Sequence, residues 1–198
     1  MQTKLVRDGY DKIAAKYLAH RDKLKSAKYI QQLLKYLPKQ SLVLDLGCGA
    51  GIPVDDILLK AGHSVIGLDI SSEQIKLARK YCKGGEYSVR DISDLKAGEY
   101  QVQSVISFYT LFHIPKDRQL KMLKTIASFL SPKGMLLITM GDRAFEGEHT
   151  LYGAPMWSSQ YGTKENRTLV EAAGFRILID EVDTSGAERH QIIMGEKL

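Results

Sequence analysis

The feature that most constrains this chain is a short apolar run that leads directly into three alternating glycines. Residues 43–46 read V-L-D-L, residues 47–51 read G-C-G-A-G, and a helical pattern of apolar residues begins at Val54. A buried strand, a glycine-rich turn and a helix form the ligand-binding edge of open α/β sheets. Glycines at such a turn allow a sharp bend and a close approach of ligand to backbone. The segment therefore predicts a binding loop at the carboxyl end of a strand.

The rest of the chain alternates the apolar spacings of strands and helices. The pattern predicts strands over 42–44, 65–68, 86–89, 102–108, 135–140, 175–182 and 190–195, and helices over 54–61, 71–82, 117–130 and 163–173. Such alternation predicts a doubly wound α/β fold with a mostly parallel sheet. The last two strands are separated only by a turn containing Asp183, Ser185 and Gly186, which is too short for a parallel crossover. We therefore expect them to pair antiparallel.

Two segments lie outside this alternation. Residues 3–37 have helical spacing up to Pro38, and residues 141–162 are irregular and too long for a bare connection, which suggests a lid or binding loop. A length of 198 residues suits one domain. We predict a single domain over 1–198, with an N-terminal helical cap over 1–40 and a core over 41–198.

Composition excludes several classes of protein. Hydrophobic residues make up 44% and charged residues 26%, so the chain is neither disordered nor fibrous. Two cysteines exclude a disulfide scaffold and suit a reducing cytosol. The first residues carry charges where a signal peptide needs an apolar stretch, and no window of 18 apolar residues exists. We expect a cytoplasmic protein with no targeting segment and no membrane span.

The positive charge is concentrated at the N-terminus. Residues 1–40 contain ten Lys/Arg and three Asp/Glu, a net charge of +7, whereas residues 41–198 carry −2. Such a segment could attract phosphates or an acidic substrate. The alternative is a solvated helix face.

Two carboxylates narrow the range of ligands that the glycine loop could bind. Asp69 ends the second predicted strand, 18 residues after Gly51, where a carboxylate can accept both hydroxyls of a ribose. A dinucleotide fingerprint needs glycine at position 52, which is isoleucine, and a pyrophosphate would be repelled by Asp45. A ribose-containing cofactor with a cationic head, such as S-adenosylmethionine, fits both carboxylates. The alternative for Asp69 is an N-cap of the next helix.

The combined motifs resemble those of a known enzyme family. The sequences D-L-G-C-G-A-G (45–51), G-L-D-I-S (67–71) and V-R-D-I (89–92) resemble the class I S-adenosylmethionine-dependent methyltransferases. Within that family the chain is most similar to small-molecule enzymes related to quinone biosynthesis, the methyltransferase type 11/25 group. The resemblance implies a Rossmann-like sheet of seven strands with an antiparallel C-terminal strand, and we expect a monomer or a homodimer.

The resemblance also implies a site for S-adenosylmethionine, whose product would be S-adenosylhomocysteine. Asp69 would bind the ribose and Asp91 the adenine amino group, although Asp91 also lies in a polar loop that could explain it. The implied cofactor-binding residues are Tyr10, Tyr17, Asp45, Gly47, Cys48, Gly49, Gly51, Asp69, Ile70, Ser71, Asp91, Ile92 and Phe108. Tyr10 and Tyr17 are seven residues apart on one helix face, so they could instead be core contacts.

On the acceptor side we single out His113 and Tyr161 as candidate catalytic residues that position or deprotonate the acceptor. Tyr109, Tyr152 and Trp157 are candidates for contacting the substrate, the last two in the proposed acceptor loop near 141–162. The alternative for His113 is a structural role before Pro115. The alternative for Trp157 is to anchor the loop to the core.

The acceptor itself leaves little trace in the sequence. We expect a small molecule and consider nucleic acid unfavoured, because residues 107–110 read S-F-Y-T rather than the Asn/Asp-Pro-Pro-Tyr pattern of nucleic-acid amino methyltransferases. We expect no metal, because Glu146, Glu148 and His149 have no second His or Cys at ligand spacing. An RNA- or protein-directed methyltransferase, a non-catalytic cofactor-binding module and a nicotinamide-dependent dehydrogenase are the alternatives.

Overall fold

The structure is a computed structural model and describes residues 2–20, 23–185 and 189–198, so Gly186 of the predicted turn lies outside the described residues. The helices are α1 Gln2–His20, α2 Lys23–Leu33, α3 Val54–Lys60, α4 Ser72–Tyr81, α5 Lys116–Phe129 and α6 Thr163–Ala172. The strands are β1 Leu42–Leu46, β2 Ser64–Asp69, β3 Glu86–Val89, β4 Val102–Ser107, β5 Leu130–Gly141, β6 Phe145–Leu151, β7 Ala154–Gln160, β8 Phe175–Asp183 and β9 His190–Lys197.

Seven strands form the main sheet in the order β3-β2-β1-β4-β5-β9-β8. The pairs among β1 to β5 are parallel, and β9 pairs antiparallel with both β5 and β8. This confirms the predicted Rossmann-like fold and the antiparallel C-terminal strand. The strand order reverses between β1 and β4, so the carboxyl ends of these two neighbours open a crevice where ligands bind in such sheets.

The sheet is covered on both faces because successive strand residues point to opposite sides. In β1, Val43 packs with Leu33 of α2 and Leu58 of α3. Its neighbour Leu44 belongs to the opposite cluster, which contains residues of α5 and α6 such as Leu123. The continuous apolar runs of the sequence therefore match central strands that are buried on both sides.

The expectation of an irregular loop over 141–162 is wrong. This segment contains the antiparallel hairpin β6–β7, with Tyr152 and Gly153 at its turn, both at positive φ. The hairpin forms its own two-stranded sheet and packs against α1 through Ile13 and Met156. Because β6 does not contribute to the main core, its sequence F-E-G-E-H-T-L lacks the apolar alternation that identifies a half-buried strand.

Three smaller boundaries also differ from the sequence-based expectation. The region 3–37 forms two helices, α1 and α2, and the second ends at Leu33. The strand predicted over 135–140 begins earlier, at Leu130, and within this added part the register of pairing with β4 shifts and Lys133 has a positive φ. None of the helices in the described part of the chain combines the length and apolar character that a membrane span needs.

Candidate active site

The glycine loop is tied to the end of the neighbouring strand. The backbone N–H groups of Gly47 and Cys48 both donate to the carbonyl of Leu68, at 2.7 and 3.0 Å. Gly47, Gly49 and Gly51 have φ values of +79°, +56° and +74°, a region that side chains disfavour. A Cβ at residue 47 would also clash with the Thr110 hydroxyl. Glycine is therefore required both for the turn and for the space in front of β4.

Asp69 joins this loop to the start of α4. One carboxylate oxygen accepts the N–H of Gly49 at 2.8 Å, and the other accepts the N–H of Ser71 at 2.8 Å. The N-cap of α4 is Ser71, whose hydroxyl accepts from Gln74 N–H at 3.1 Å, and not Asp69. The two backbone bonds fix the plane of the Asp69 carboxylate, which is 8% exposed, at the cavity wall.

A cavity of about 300 Å³ lies at the carboxyl ends of β1, β2 and β4, a size within the range of small-molecule sites. Nine of the implied cofactor residues line it: Tyr10, Tyr17, Gly47, Gly49, Asp69, Ile70, Asp91, Ile92 and Phe108. Carboxylates and apolar side chains alternate along the wall formed by residues 69–70 and 91–92. Such a wall fits a ligand with a hydroxylated sugar and a flat ring. Asp91 also accepts a hydrogen bond from the N–H of Ser93 at 2.9 Å, so it stabilises the polar loop as well.

The other four implied cofactor residues lie behind the cavity wall. Asp45 and Ser71 are buried, and Gly51 packs against the side chain of Cys82. Cys48 belongs to a buried cluster with Ile75, Ala78, Cys82 and Tyr87. Burial, reinforced by nearby carboxylates, raises the pKa of the Cys48 thiol well above its usual value, so it is not a nucleophile at neutral pH.

A second cavity, of about 380 Å³, adjoins the first. The two share four lining side chains: Tyr10, Tyr17, Tyr109 and His113. The rest of the second cavity is formed by the hairpin and by residues that flank β5 and β9: Phe112, Asp142, Arg143, Phe145, His149, Leu151, Ser158, Gln160, Arg189 and His190. The four shared side chains thus form the boundary at which ligands in the two cavities would meet.

His113 occupies this boundary with a defined tautomer. Its Nδ1 lies 2.6 Å from the carbonyl oxygen of Trp157, and its Nε2 lies 3.1 Å from the hydroxyl of Tyr10. Because a carbonyl oxygen only accepts, Nδ1 carries the hydrogen and Nε2 accepts from the Tyr10 hydroxyl. Burial lowers the pKa of His113 to about 4, despite the hydrogen bond to Trp157. The imidazole is therefore neutral at physiological pH, and its Nε2 is a hydrogen-bond acceptor.

Residues 43–134 match the family model described as methyltransferase domain. This part of the chain is a methyltransferase domain. The tRNA (carboxymethyluridine(34)-5-O)-methyltransferase of Arabidopsis thaliana is 32% identical over 143 residues, which are 71% of this chain and 33% of that protein. The ubiquinone biosynthesis O-methyltransferase of Actinobacillus pleuropneumoniae serotype 7 is 28% identical over 127 residues, 60% of this chain and 53% of that protein.

Among solved structures, magnesium protoporphyrin IX methyltransferase from Synechocystis PCC 6803 aligns over 100% of both chains with a TM-score of 0.80 and 17% identity. At that identity the likeness shows the fold. Together with the family match, it confirms the resemblance to the class I S-adenosylmethionine-dependent methyltransferases. The chain spans between a third and about three fifths of the length of the first curated relatives that it matches, 33% to 61%.

The other acceptor-side candidates are less directly placed. Trp157 is 5% exposed and lines neither cavity, but its carbonyl oxygen holds His113, so it anchors the hairpin to the boundary. Tyr152 is 37% exposed at the hairpin turn, with its ring 6.2 Å from that of Tyr17. Tyr161 follows β7 outside both cavities, and Lys116 Nζ lies 5.8 Å from its ring centre.

Tyr109 shows local backbone strain at the boundary. It has a φ of +59°, unusual for a residue with a side chain, and its N–H donates to the Thr139 hydroxyl at 2.5 Å. Its ring meets His190 edge-on, with the centres 4.9 Å apart. Strain of this kind persists where the surrounding structure fixes it, and it is concentrated at functional sites. The sequence indicated Tyr109 only by its position after β4.

Sequence reasoning missed the residues that attach α1 to the domain. Asp11 accepts the Ser71 hydroxyl at 2.6 Å and the N–H of Glu73 at 3.2 Å, so it reinforces the N-terminus of α4. Gly9 allows α1 to approach β7, because a Cβ there would lie 2.8 Å from the Met156 side chain. No local signal links residues 60 or more positions apart, so a single sequence could not reveal these contacts.

The acidic residues of the hairpin do not form a metal site with His149. Glu146 pairs with Lys116 at 3.1 Å, and His149 Nε2 lies 2.9 Å from the Ser158 hydroxyl. Within the ranges that the structure describes, no three His, Cys, Asp or Glu side chains form a group that could hold a metal ion.

Proposed function

We propose that this protein transfers a methyl group from S-adenosylmethionine to a small-molecule acceptor. The observation that carries the proposal is the pair of adjoining cavities with one boundary at Tyr10, Tyr17, Tyr109 and His113. The first cavity would hold the cofactor and the second the acceptor. Such an arrangement brings two reactants into line and excludes water, which is most of what methyl transfer requires of a protein.

The cofactor would supply a methyl group on a positively charged sulfur. Asp69, held by Gly49 and Ser71, would accept the ribose hydroxyls, and Asp91 would face the adenine between Ile70 and Ile92. The glycine loop would leave room for the amino-acid part. The Synechocystis structure is described as containing bound S-adenosylhomocysteine, which supports this choice of cofactor.

His113 would position the acceptor. Its neutral Nε2 faces the Tyr10 hydroxyl at the boundary, and its orientation is fixed by Trp157. An acceptor hydroxyl or amine that replaces the Tyr10 hydroxyl would donate a hydrogen bond to this nitrogen, which orients the acceptor atom for in-line attack on the methyl group. With a pKa of about 4, His113 is too weak a base to remove the proton of such a group at neutral pH. Tyr161 lies further away and would act through Lys116, which also contacts the hairpin residue Glu146.

The small-molecule acceptor is favoured by the size of the second cavity, about 380 Å³ between α1, the hairpin and β9. The Arabidopsis relative is named for tRNA, so an RNA acceptor is the alternative. We further propose a single domain over 1–198 in the cytoplasm, since both cysteines are free and buried, as a reducing compartment allows. The oligomeric state, monomer or homodimer, stays a prediction.

The experiment that tests the proposal is ligand-induced thermal stabilisation. S-adenosylhomocysteine at a hundredfold excess over its Kd should raise the melting temperature by about 5–10 °C, and NADH should not change it. Asp69→Asn should remove most of this shift. Asp56→Asn is the matched control, because Asp56 is a carboxylate on α3 that pairs with Lys60 outside both cavities.

Stabilisation by NADH, or none by S-adenosylhomocysteine, would contradict the proposed cofactor. Tight binding of S-adenosylhomocysteine without methylation of any compound in a broad metabolite screen would favour a non-catalytic module. Methylation of bulk tRNA in place of small molecules would favour the RNA-directed alternative.

A further inference from the structure

The second cavity has an excess of positive charge. It is lined by Arg143, Arg189 and Asp142, and Arg189 Nε lies 2.9 Å from an Asp142 carboxylate oxygen. This ion pair uses only Nε of Arg189, so the N–H groups of its two terminal nitrogens remain available as hydrogen-bond donors. Among the residues that the structure describes, Arg143 forms no ion pair. Within the described part of the chain, two guanidinium groups therefore border the cavity against one carboxylate.

The hairpin keeps its own acidic side chains away from this cavity. Side chains alternate along β6, so Phe145, His149 and Leu151 line the cavity while Glu146 and Glu148 point to the opposite face. On that opposite face Glu146 pairs with Lys116. Glu146 and Glu148 of the hairpin therefore do not neutralise the positive charge of the arginines that line the cavity.

Much of the remaining wall is aromatic. Phe112 stacks on His190 with ring centres 5.5 Å apart and an angle of 25° between the planes. Tyr109 meets His190 edge-on, and Phe145 meets His149 edge-on at 6.2 Å. Rings arranged in this way offer both faces and edges to a flat ligand, which is the geometry that aromatic contacts favour.

The arginines line the second cavity alone, whereas His113 and Tyr10 also line the first. From this separation we infer that the methyl acceptor is a planar aromatic acid. Its carboxylate binds Arg143 and Arg189, its ring lies among Phe112, Tyr109 and His190, and its methyl-accepting atom points to His113. This inference rests on the proposed function.

Binding of matched acids and amides tests the inference directly. Benzoate, 4-hydroxybenzoate, 3,4-dihydroxybenzoate and indole-3-acetate are titrated by calorimetry into the protein saturated with S-adenosylhomocysteine, together with the four corresponding amides. At least one acid should bind tenfold or more tightly than its amide. Arg143→Gln and Arg189→Gln should each reduce that preference about tenfold, as expected for the loss of a hydrogen bond to a charged group.

Arg176→Gln is the matched control, because Arg176 pairs with Glu196 at 2.9 Å much as Arg189 pairs with Asp142, but lies outside both cavities. It should leave the preference unchanged. The shift in melting temperature with S-adenosylhomocysteine, measured on every variant, shows that the first cavity is intact.

The inference is overturned if no acid of the panel is preferred to its amide, or if the preference survives both arginine substitutions, while S-adenosylhomocysteine still binds. If the unmodified protein does not bind S-adenosylhomocysteine, that result would instead contradict the proposed function.

Discussion

His113 is the residue on which the most separate parts of the chain converge. Its two ring nitrogens contact Tyr10 and Trp157, which are 103 and 44 residues away. Its folded-state pKa of about 4 lies below the unfolded value of 6.5. Between these values the unfolded chain binds more protons, so the stability from a neutral His113 is complete above pH 6.5 and is lost as the pH falls toward 4.

We predict that His113→Gln flattens the pH dependence of stability in this window. The wild-type free energy of unfolding should fall between pH 6.5 and 4 by at most about 3 kcal/mol more than that of the variant. Urea unfolding at several pH values measures the difference. His20→Gln, at an exposed position on α1, is the control and should keep the wild-type slope. Equal slopes in wild type and His113→Gln would show that His113 titrates normally.

At the scale of elements, α1 and the hairpin form a unit that covers the carboxyl edge of the sheet. Tyr10 and Tyr17 on α1 meet Leu151 and Met156 of the hairpin in one apolar cluster. Gly9 is the point of closest approach, since a Cβ there would lie 2.8 Å from Met156 Cε and 2.9 Å from the carbonyl oxygen of Pro155.

We predict that Gly9→Ala destabilises the protein by about 1–3 kcal/mol and weakens the binding of S-adenosylhomocysteine. Helix propensity alone predicts the opposite sign, a gain of roughly 0.5–1 kcal/mol, so the sign distinguishes packing from propensity. Urea unfolding and the ligand-induced melting shift are the measurements, with Lys12→Ala on the exposed face of α1 as control. A stabilised Gly9→Ala variant would mean that α1 does not pack on β7 in solution.

At the scale of the whole molecule, the central sheet and the cover formed by α1 and the hairpin differ in how far they line the ligand sites. Ile106 of β4 and Leu137 of β5 are fully buried between helices. In contrast, α1 lines both cavities, with Tyr10 and Tyr17 at the boundary between them. Ligand binding should therefore stabilise the cover more than the sheet, because regions of low local stability open independently of the core.

We predict that S-adenosylhomocysteine slows amide hydrogen exchange in α1 and in β6–β7 by tenfold or more, over times at which the interior of β4 and β5 does not exchange with or without the ligand. Exchange followed by mass spectrometry, with and without the ligand, resolves these segments. Helix α6, which lines neither cavity, serves as an internal reference. Uniform slowing over all segments would indicate global stabilisation and would contradict a separately closing cover.

The fold was predictable because its signals are local. The apolar runs of β1 and β2, the glycines between β1 and α3, and the short turn before β9 each fix a conformation within a few residues. Asp69 was predictable for the same reason, since it ends a strand at a fixed distance from the glycine loop. The hairpin was not, because β6 faces a cavity and the chain's N-terminal helix, so burial of a core imposes no alternation on it.

The sequence by itself determined the order of helices and strands that build the main sheet, the glycine turn and the carboxylate beside it. Only the tertiary structure decided that Tyr10, His113 and Trp157 form one hydrogen-bonded chain, that two cavities meet there, and that Arg143 and Arg189 lie together. The physical reason is that periodicity and turn chemistry act between neighbours along the chain. Proximity across 103 residues depends instead on how the helices and strands pack.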